Sequence, residues 1–163
     1  MNKFLFIFFQ FFLTSSLITL SAQSTDTVKI VYSLGEGAEI DYLMARYPST
    51  VQQIVKNDPA KTKAHWKEFG LALEKFFDDI EFDVKGVKLM MHVCWSKEGK
   101  LLHIGFMFKD NSRNMKEDDF KIAISQFIDK YKSTLSYKEP FTYYGSLNFP
   151  SSLNGWNQPG KPK

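Results

Sequence analysis

Residues 87–108, with the sequence VKLMMHVCWSKEGKLLHIGFMF, decide the fold of this chain. Two apolar stretches flank the polar segment Ser96–Lys100, in which Gly99 suits the left-handed position of a tight turn. The pattern predicts a β-hairpin. Both faces of this hairpin carry apolar side chains, so we expect both to be covered, at least in part, by helices or another layer.

Two amphipathic helices are predicted beside the hairpin, from Lys61 to Ile80 and from Lys116 to Thr134. Large apolar side chains recur in each at spacings of three and four, and Asn114 is placed to cap the second helix. Pro140 precedes a last strand, Thr142–Phe149. The predicted fold class is α+β, an antiparallel sheet (hairpin plus C-terminal strand) packed by amphipathic helices. The expected core residues are Trp66, Phe69, Phe76, Ile104, Phe120 and Phe127.

The segment before the first long helix carries shorter patterns. Val28–Tyr32 is rich in β-branched residues and is predicted to be a strand. A helical pattern covers Glu39–Arg46, where Pro48 interrupts it. Ser49 is placed to cap a second short helix that ends at Lys56.

Residues 1–22 have the three-part pattern of a secretory signal peptide. Lys3 is followed by the apolar tract Phe4–Leu20, and Ala22 is a small residue at a suitable cleavage point. We expect cleavage after Ala22, leaving a single α+β domain (residues 23–150) and a flexible C-terminal tail (residues 151–163). The alternative is an uncleaved anchor, but Gln10 and several hydroxyl residues interrupt the tract and no basic cluster follows it. The prediction is an exported protein, periplasmic or extracellular, with no stable membrane span after cleavage.

Composition narrows the choice of partners. The chain has 163 residues with 21 basic and 18 acidic side chains, a net charge of +3. Lys3 is the only charged residue before Gln23, so the processed chain would carry 20 minus 18, or +2. This charge is too small to predict a nucleic-acid partner. Cys94 is the only cysteine and excludes an intramolecular disulfide. Its apolar neighbours predict a buried, non-catalytic thiol.

Residues His92–Ile104 (HVCWSKEGKLLHI) resemble the hairpin of TonB C-terminal-like domains of exported Gram-negative bacterial proteins. Residues Leu147–Pro150 (LNFP) resemble the final strand of those domains, so that the resemblance covers Val87–Pro150. It implies a small binding module of the cell envelope without catalysis. It does not imply energy transduction, because the signal is of the cleavable type and a periplasmic linker is missing.

The three histidines, His65, His92 and His103, are the natural candidates for a metal site. In the register that the turn favours, His92 faces Ile104 and His103 faces Val93, which places the two histidines on opposite faces of the hairpin. A one-residue change of register would bring them to one face. Structural or surface roles are therefore predicted for all three.

Cys94 and His92 share one strand face and could form a nucleophile pair. Such a pair needs exposure and a stabilised thiolate, whereas this segment looks buried. We therefore predict no catalytic residue, no cofactor-binding residue, no metal ligand and no cofactor.

Acidic and aromatic side chains offer the remaining chemistry. Glu117–Asp119 suit a helix N-terminus electrostatically, whereas Asp78 and Asp79 fall at a helix C-terminus, where the dipole disfavours acids. Six aromatic side chains near loops or outer strand faces have two interpretations. They could bind sugars or a protein partner, or they could complete the core. They are Tyr42, Tyr47, Tyr137, Tyr143, Tyr144 and Trp156.

The function predicted from the sequence is a non-catalytic binding or interaction module of the bacterial cell envelope, with a protein or another envelope component as its partner. The alternative is a small envelope hydrolase that uses carboxylates from Glu36, Asp41, Asp78 or Asp79. A groove beside an open strand edge would favour the module. A concave site with converging titratable groups would favour the enzyme.

Overall fold

The computed structural model describes residues 30–35 and 45–151, and these form helices packed on one five-stranded sheet. The α+β class is confirmed. The predicted signal peptide, most of the predicted helix at 39–46 and the tail beyond Ser151 lie outside the described residues. In chain order the elements are β1 (Ile30–Ser33), β2 (Ser49–Thr50), α1 (Val51–Ile54), α2 (Pro59–Asp79), β3 (Lys88–Trp95), β4 (Leu101–Phe108), α3 (Glu117–Ile128) and β5 (Phe141–Asn148).

The sheet is mixed, and its strand order is β1-β4-β3-β5-β2. The hairpin and the C-terminal strand pair antiparallel as predicted, with β3 between β4 and β5. At the two edges, however, β1 runs parallel to β4 and β2 runs parallel to β5. The prediction of an antiparallel sheet is therefore wrong at both edges. No tight turn joins either edge strand to its neighbour, so the residue pattern carries no information about strand direction there.

The register predicted from the turn holds only for the pair of strand residues next to it. Trp95 pairs with Leu101, but a bulge then shifts the register so that Cys94 pairs with His103. Leu102 is the extra residue of β4, since it lies between the two paired positions. The predicted pairing of His103 with Val93 is therefore wrong by one residue.

The turn itself forms as predicted. Gly99 has φ +80°, and its amide donates to the Ser96 carbonyl at 2.9 Å. Gly99 is also required for space, because a Cβ there would come within 2.3 Å of the Leu135 carbonyl oxygen. The segment after α3 thus packs directly on the hairpin turn.

The core lies between one face of the sheet and the helices α2 and α3. The six predicted core residues are all buried, with exposed fractions of 0–6%. Phe69 on α2 and Phe127 on α3 meet edge to face at 5.9 Å between ring centroids. The Trp66 indole donates to the Ser146 carbonyl at 2.8 Å, which satisfies its polar atom.

The helix ends differ from the sequence prediction. Asp58 caps α2 by accepting from the amides of Ala60 and Lys61, so the helix begins at Pro59. Pro suits this position because its missing N–H would be unpaired there in any case. Thr50, rather than Ser49, caps α1 and forms a capping box with Gln53.

Helix α3 is shorter than predicted at its C-terminal end. It begins after Lys116 without a side-chain cap, so the role assigned to Asn114 is wrong. It ends at Ile128, because the following chain turns to the hairpin, where the Ser133 amide donates to the Gly99 carbonyl at 2.8 Å. Tertiary hydrogen bonding has here replaced continuation of the helix.

Candidate functional site

The face of the sheet opposite α2 and α3 carries a buried polar cluster. We call Tyr32, His92, Cys94 and Thr142 the second-face cluster; each is at most 8% exposed. The Tyr32 hydroxyl lies 2.6 Å from His92 Nδ1, and Thr142 Oγ1 lies 2.6 Å from His92 Nε2. Strands β1, β3 and β5 are thus tied together through one imidazole.

The hydrogen bonds of this cluster have a defined direction. Thr142 uses its only hydroxyl proton on the Val93 carbonyl at 2.8 Å, so its oxygen accepts from His92 Nε2–H. In a neutral imidazole the other nitrogen is then an acceptor, and the Tyr32 hydroxyl donates to Nδ1. Burial lowers the pKa of His92, in keeping with the neutral form. The hydrogen bonds therefore run from the Tyr32 hydroxyl through His92 and Thr142 to the Val93 carbonyl, which is the final acceptor.

This direction determines what Cys94 can do. Its Sγ lies 3.7 Å from His92 Nε2, but that nitrogen already carries a proton and cannot accept one from the thiol. Burial raises the pKa of the Cys94 thiol to about 12, and the side chain is 0% exposed. The prediction that Cys94 is buried is confirmed. The pair lacks both the base and the accessible thiolate that nucleophilic catalysis needs.

His103 shares this face, contrary to the sequence prediction that placed it opposite to His92. It is 1% exposed, and neither ring nitrogen has a hydrogen-bond partner among the residues that the structure describes. Its ring meets that of Tyr47 edge-on at 5.7 Å. Burial, together with the nearby charges of Arg46 and His92, lowers the pKa of His103 to about 4. His103 is therefore a neutral core residue at physiological pH.

His65 lies on the other side of the sheet, on α2. Its ring packs against that of Trp95 at 5.5 Å, and burial lowers its pKa. Within residues 30–35 and 45–151, no three His, Cys, Asp or Glu side chains are arranged to hold a metal ion.

Of the carboxylates near the end of α2, Asp79 and Asp83 are ion-paired with basic side chains. Asp79 forms an ion pair with Lys75 at 2.7 Å. Asp78 borders a recess of about 280 Å³ together with Glu74 and Asp83. Glu74 accepts from the Ser151 amide at 2.8 Å, whereas the Lys85 amide and Arg113 hold the pKa of Asp83 below its usual range. Glu36 and Asp41 lie outside the described residues.

The acidic first turn of α3 has a structural role at Glu117. Its carboxylate accepts from the Ser33 hydroxyl and forms an ion pair with Lys121 at 3.0 Å. The Ser33 and Lys121 hydrogen bonds lower the pKa of Glu117. The N-terminus of α3 is thereby fixed to the C-terminal end of β1.

The aromatic candidates separate into different environments. Tyr47 is buried, and Tyr143 is half-buried against Trp66 at 4.9 Å between ring centroids. Tyr137 is also half-buried, whereas Tyr144 is 52% exposed on the second face. Tyr42 and Trp156 lie outside the described residues.

A groove lies between the outer edge of β1 and helix α3. Its volume is about 620 Å³. In the described part of the chain β1 pairs only with β4, so its other edge is open. Ile122 on α3 is 61% exposed beside this edge. We call this feature the β1–α3 groove, and its lining includes Val31, Lys121, Ile122, Ser125, Ile128 and Asp129.

The residue pattern does not predict this groove, although it carries one signal of it. Ile122 falls outside the predicted apolar stripe of α3 and lies on its polar face. A large apolar residue on the polar face of a helix often marks an interaction surface when it adjoins other apolar groups. The open strand edge beside it depends on the parallel pairing of β1, which the sequence pattern did not indicate.

Comparison with protein-family models, with curated proteins and with solved structures gave no match for this chain. The resemblance of residues 87–150 to TonB C-terminal-like domains therefore stays a prediction. None of the helices in the described part of the chain is both long and apolar enough to cross a membrane.

Proposed function

We propose that this protein is an exported, non-catalytic interaction module of the bacterial cell envelope, and that the β1–α3 groove is its recognition surface. The exposure of Ile122, which is 61% exposed beside an edge of β1 that no described strand covers, carries the proposal. A partner that covers this long apolar side chain removes its surface from water, which is favourable for binding.

The groove suits an extended polypeptide segment. Such a segment would add to the outer edge of β1 through backbone hydrogen bonds, with an apolar side chain packed on Ile122. The pairing of Val31 with Ile104 places Val31 on the helix side of the sheet, where it lines the groove. Backbone pairing would supply affinity, and the side chain over Ile122 would supply selectivity.

The burial of the second-face cluster supports the non-catalytic part of this proposal. An enzyme needs an accessible reactive group, whereas Cys94 and His92 are 0% and 3% exposed. The hydrolase alternative loses Asp79, which is ion-paired with Lys75. Asp78, at a recess bordered by Glu74 and Asp83, is the described carboxylate on which that alternative still depends. The second-face cluster joins β1, β3 and β5 through hydrogen bonds, which favours a rigid sheet behind the groove.

Export and the envelope location rest on the sequence of residues 1–22 and on the TonB C-terminal-like resemblance. The element order of that resemblance, strand, strand, helix, strand, is formed by β3, β4, α3 and β5. The resemblance supports a binding role, and the cleavable signal supports release into the periplasm or beyond.

The test uses the protein as bait to capture partners from envelope extract. It is expressed from residues 1–163 and purified in the form that the cell produces. We compare Ile122→Asp with Leu71→Asp, since Leu71 is also exposed (39%) but lies on α2 and does not line the groove. The proposal expects a partner that is captured by the native protein and by Leu71→Asp and lost with Ile122→Asp. Capture that is indifferent to Ile122 would contradict it.

A further inference from the structure

We propose that a pocket between the helices α1 and α2 and strand β5 binds a neutral saccharide. The pocket has a volume of about 350 Å³, at the lower end of the range of about 300–1,000 Å³ that is usual for small-ligand sites. It lies beside β5, whereas the β1–α3 groove lies on the other side of the central strand β3. The inference therefore goes beyond the proposed function and does not depend on it. The lining consists of Gln52, Asn57, Pro59, Thr62, Lys63 and Tyr143.

The Tyr143 ring provides the aromatic surface of the pocket. It packs against Trp66 at 4.9 Å between ring centroids, and the residue is half-buried, so part of it stays accessible to a ligand. The C–H groups on the face of a sugar ring are apolar and pack well on an aromatic ring. Burial raises the pKa of Tyr143, so its hydroxyl stays protonated and both donates and accepts hydrogen bonds.

Two carboxamide side chains, those of Gln52 and Asn57, line the same pocket. The Asn57 amide donates to the Gln52 carbonyl at 2.7 Å, which holds the two residues close together. Asn57 has φ +57°, a conformation that asparagine tolerates better than most residues. Within the described residues, neither carboxamide group has a hydrogen-bond partner. A carboxamide both donates and accepts, as does each hydroxyl group at the edge of a sugar ring, so the two are complementary.

The charges around the pocket favour a neutral ligand. The N-terminus of α2 adjoins it, but Asp58 already accepts from the amides of Ala60 and Lys61, so these amides are not offered to an anion. The Asp58 carboxylate would also repel an anionic ligand. Lys63 lines the pocket but already interacts with another group of the protein. A phosphate or an acidic sugar is thus disfavoured, and a neutral saccharide fits the ring and the two carboxamides.

The test titrates the protein with chitotriose and, separately, with maltotriose, which are neutral trisaccharides with and without acetamido groups. The protein is expressed from residues 1–163 and purified in the form that the cell produces, and its backbone amide signals are followed by NMR. We expect at least one sugar to bind with a dissociation constant of about 1 mM or below and to shift the signals of residues 52–63 and 143. Binding of neither sugar, or shifts confined to other residues, would overturn the inference.

Two neighbouring tyrosines on opposite faces of β5 provide a matched control. Tyr143→Leu should weaken binding of the sugar about ten-fold, because the aromatic surface is lost. Tyr144→Leu changes an exposed tyrosine on the second face and should leave the dissociation constant unchanged. Circular dichroism must show that each variant is folded. Equal effects of the two substitutions would contradict a site at Tyr143.

Gln52→Ala tests the polar side of the pocket and keeps the proposal testable if Tyr143→Leu does not fold. Gln52 is exposed on α1, so its substitution should leave the fold intact. Loss of its hydrogen bond to the sugar should weaken binding about five-fold. Gln126→Ala, which changes an exposed glutamine of the β1–α3 groove, is the control and should have no effect. Unchanged binding in Gln52→Ala would refute the proposed saccharide pocket.

Discussion

Tyr32 reaches across Gly105 to bring its hydroxyl within 2.6 Å of His92 Nδ1. Gly105 lies between them in the sheet, since it pairs with Tyr32 on one side and with His92 on the other. A Cβ at Gly105 would stand 2.5 Å from the Tyr32 ring, so the contact exists only because this residue has no side chain. Through it, the edge strand β1, which borders the groove, is held to the centre of the sheet.

Gly105→Ala should therefore loosen β1. The added methyl group clashes with ring carbons rather than with a flexible chain end, so we expect a loss of about 1–3 kcal/mol in the free energy of unfolding. Urea denaturation measures it, and Ser146→Ala, at an exposed position of β5, is the control. Unchanged stability in Gly105→Ala would show that Tyr32 does not pack over this position.

Stability should fall in mild acid because of His103. Its pKa is about 4 in the folded protein and about 6.5 when unfolded. A depressed folded pKa means that the stabilisation is fully present above pH 6.5 and is lost as the pH falls from 6.5 to 4, by about 3 kcal/mol. Unfolding by urea at several pH values measures the slope. His103→Leu should be less pH-dependent than the native protein over this window, and an equal slope would contradict the assignment.

Cys94 should be unreactive and dispensable in the folded protein. Its thiol is buried with a raised pKa, so Ellman's reagent should label it only as fast as the protein opens, and at once in urea. Cys94→Ala should reduce the free energy of unfolding by about 1 kcal/mol through a small cavity. Rapid labelling under native conditions would instead revive a nucleophilic role.

The C-terminus of α2 is strained at Glu81, and glycine there should stabilise the protein. Glu81 has φ +55°, and the Phe82 amide donates to the Phe77 carbonyl at 2.8 Å, the hydrogen bond of a cap that usually has glycine at this position. We expect Glu81→Gly to gain up to about 1 kcal/mol in thermal or urea unfolding. Glu81→Ala keeps the strained backbone and serves as the control. An equal effect of both variants would mean that the backbone conformation is not the cause.

The export proposal makes a simple prediction about the N-terminus. Mass spectrometry of the protein from its native envelope should find a chain that begins at Gln23, with the N-terminal glutamine cyclised or free. Intact residues 1–22 on most molecules would indicate an uncleaved anchor instead.

Sequence periodicity predicted the central part of the fold because the responsible side chains act locally. The stripes of α2 and α3 and the alternation of β5 each report a buried face, and all six expected core residues are buried. The Gly99 turn was equally predictable, since only its backbone conformation was needed.

The missed features depend on contacts between distant segments. The bulge that brings His103 opposite Cys94 shifts the pairing of β4 with β3 by one residue. The side chains of β4 after the bulge therefore lie on the opposite face from the one predicted. The parallel placement of β1 and the early end of α3 likewise depend on the neighbours of those segments. The groove lies between β1 and α3, so its prediction required the placement of β1, and the site was less predictable than the core.

A photo-crosslinking residue placed at position 122 in living cells tests the central claim most directly. The full chain with Ile122→p-benzoylphenylalanine is compared with the same replacement at Leu71, which is exposed but does not line the groove. The account predicts a discrete crosslinked product from position 122 and none from position 71. No product from position 122, or the same product from both positions, would contradict the β1–α3 groove as the recognition surface.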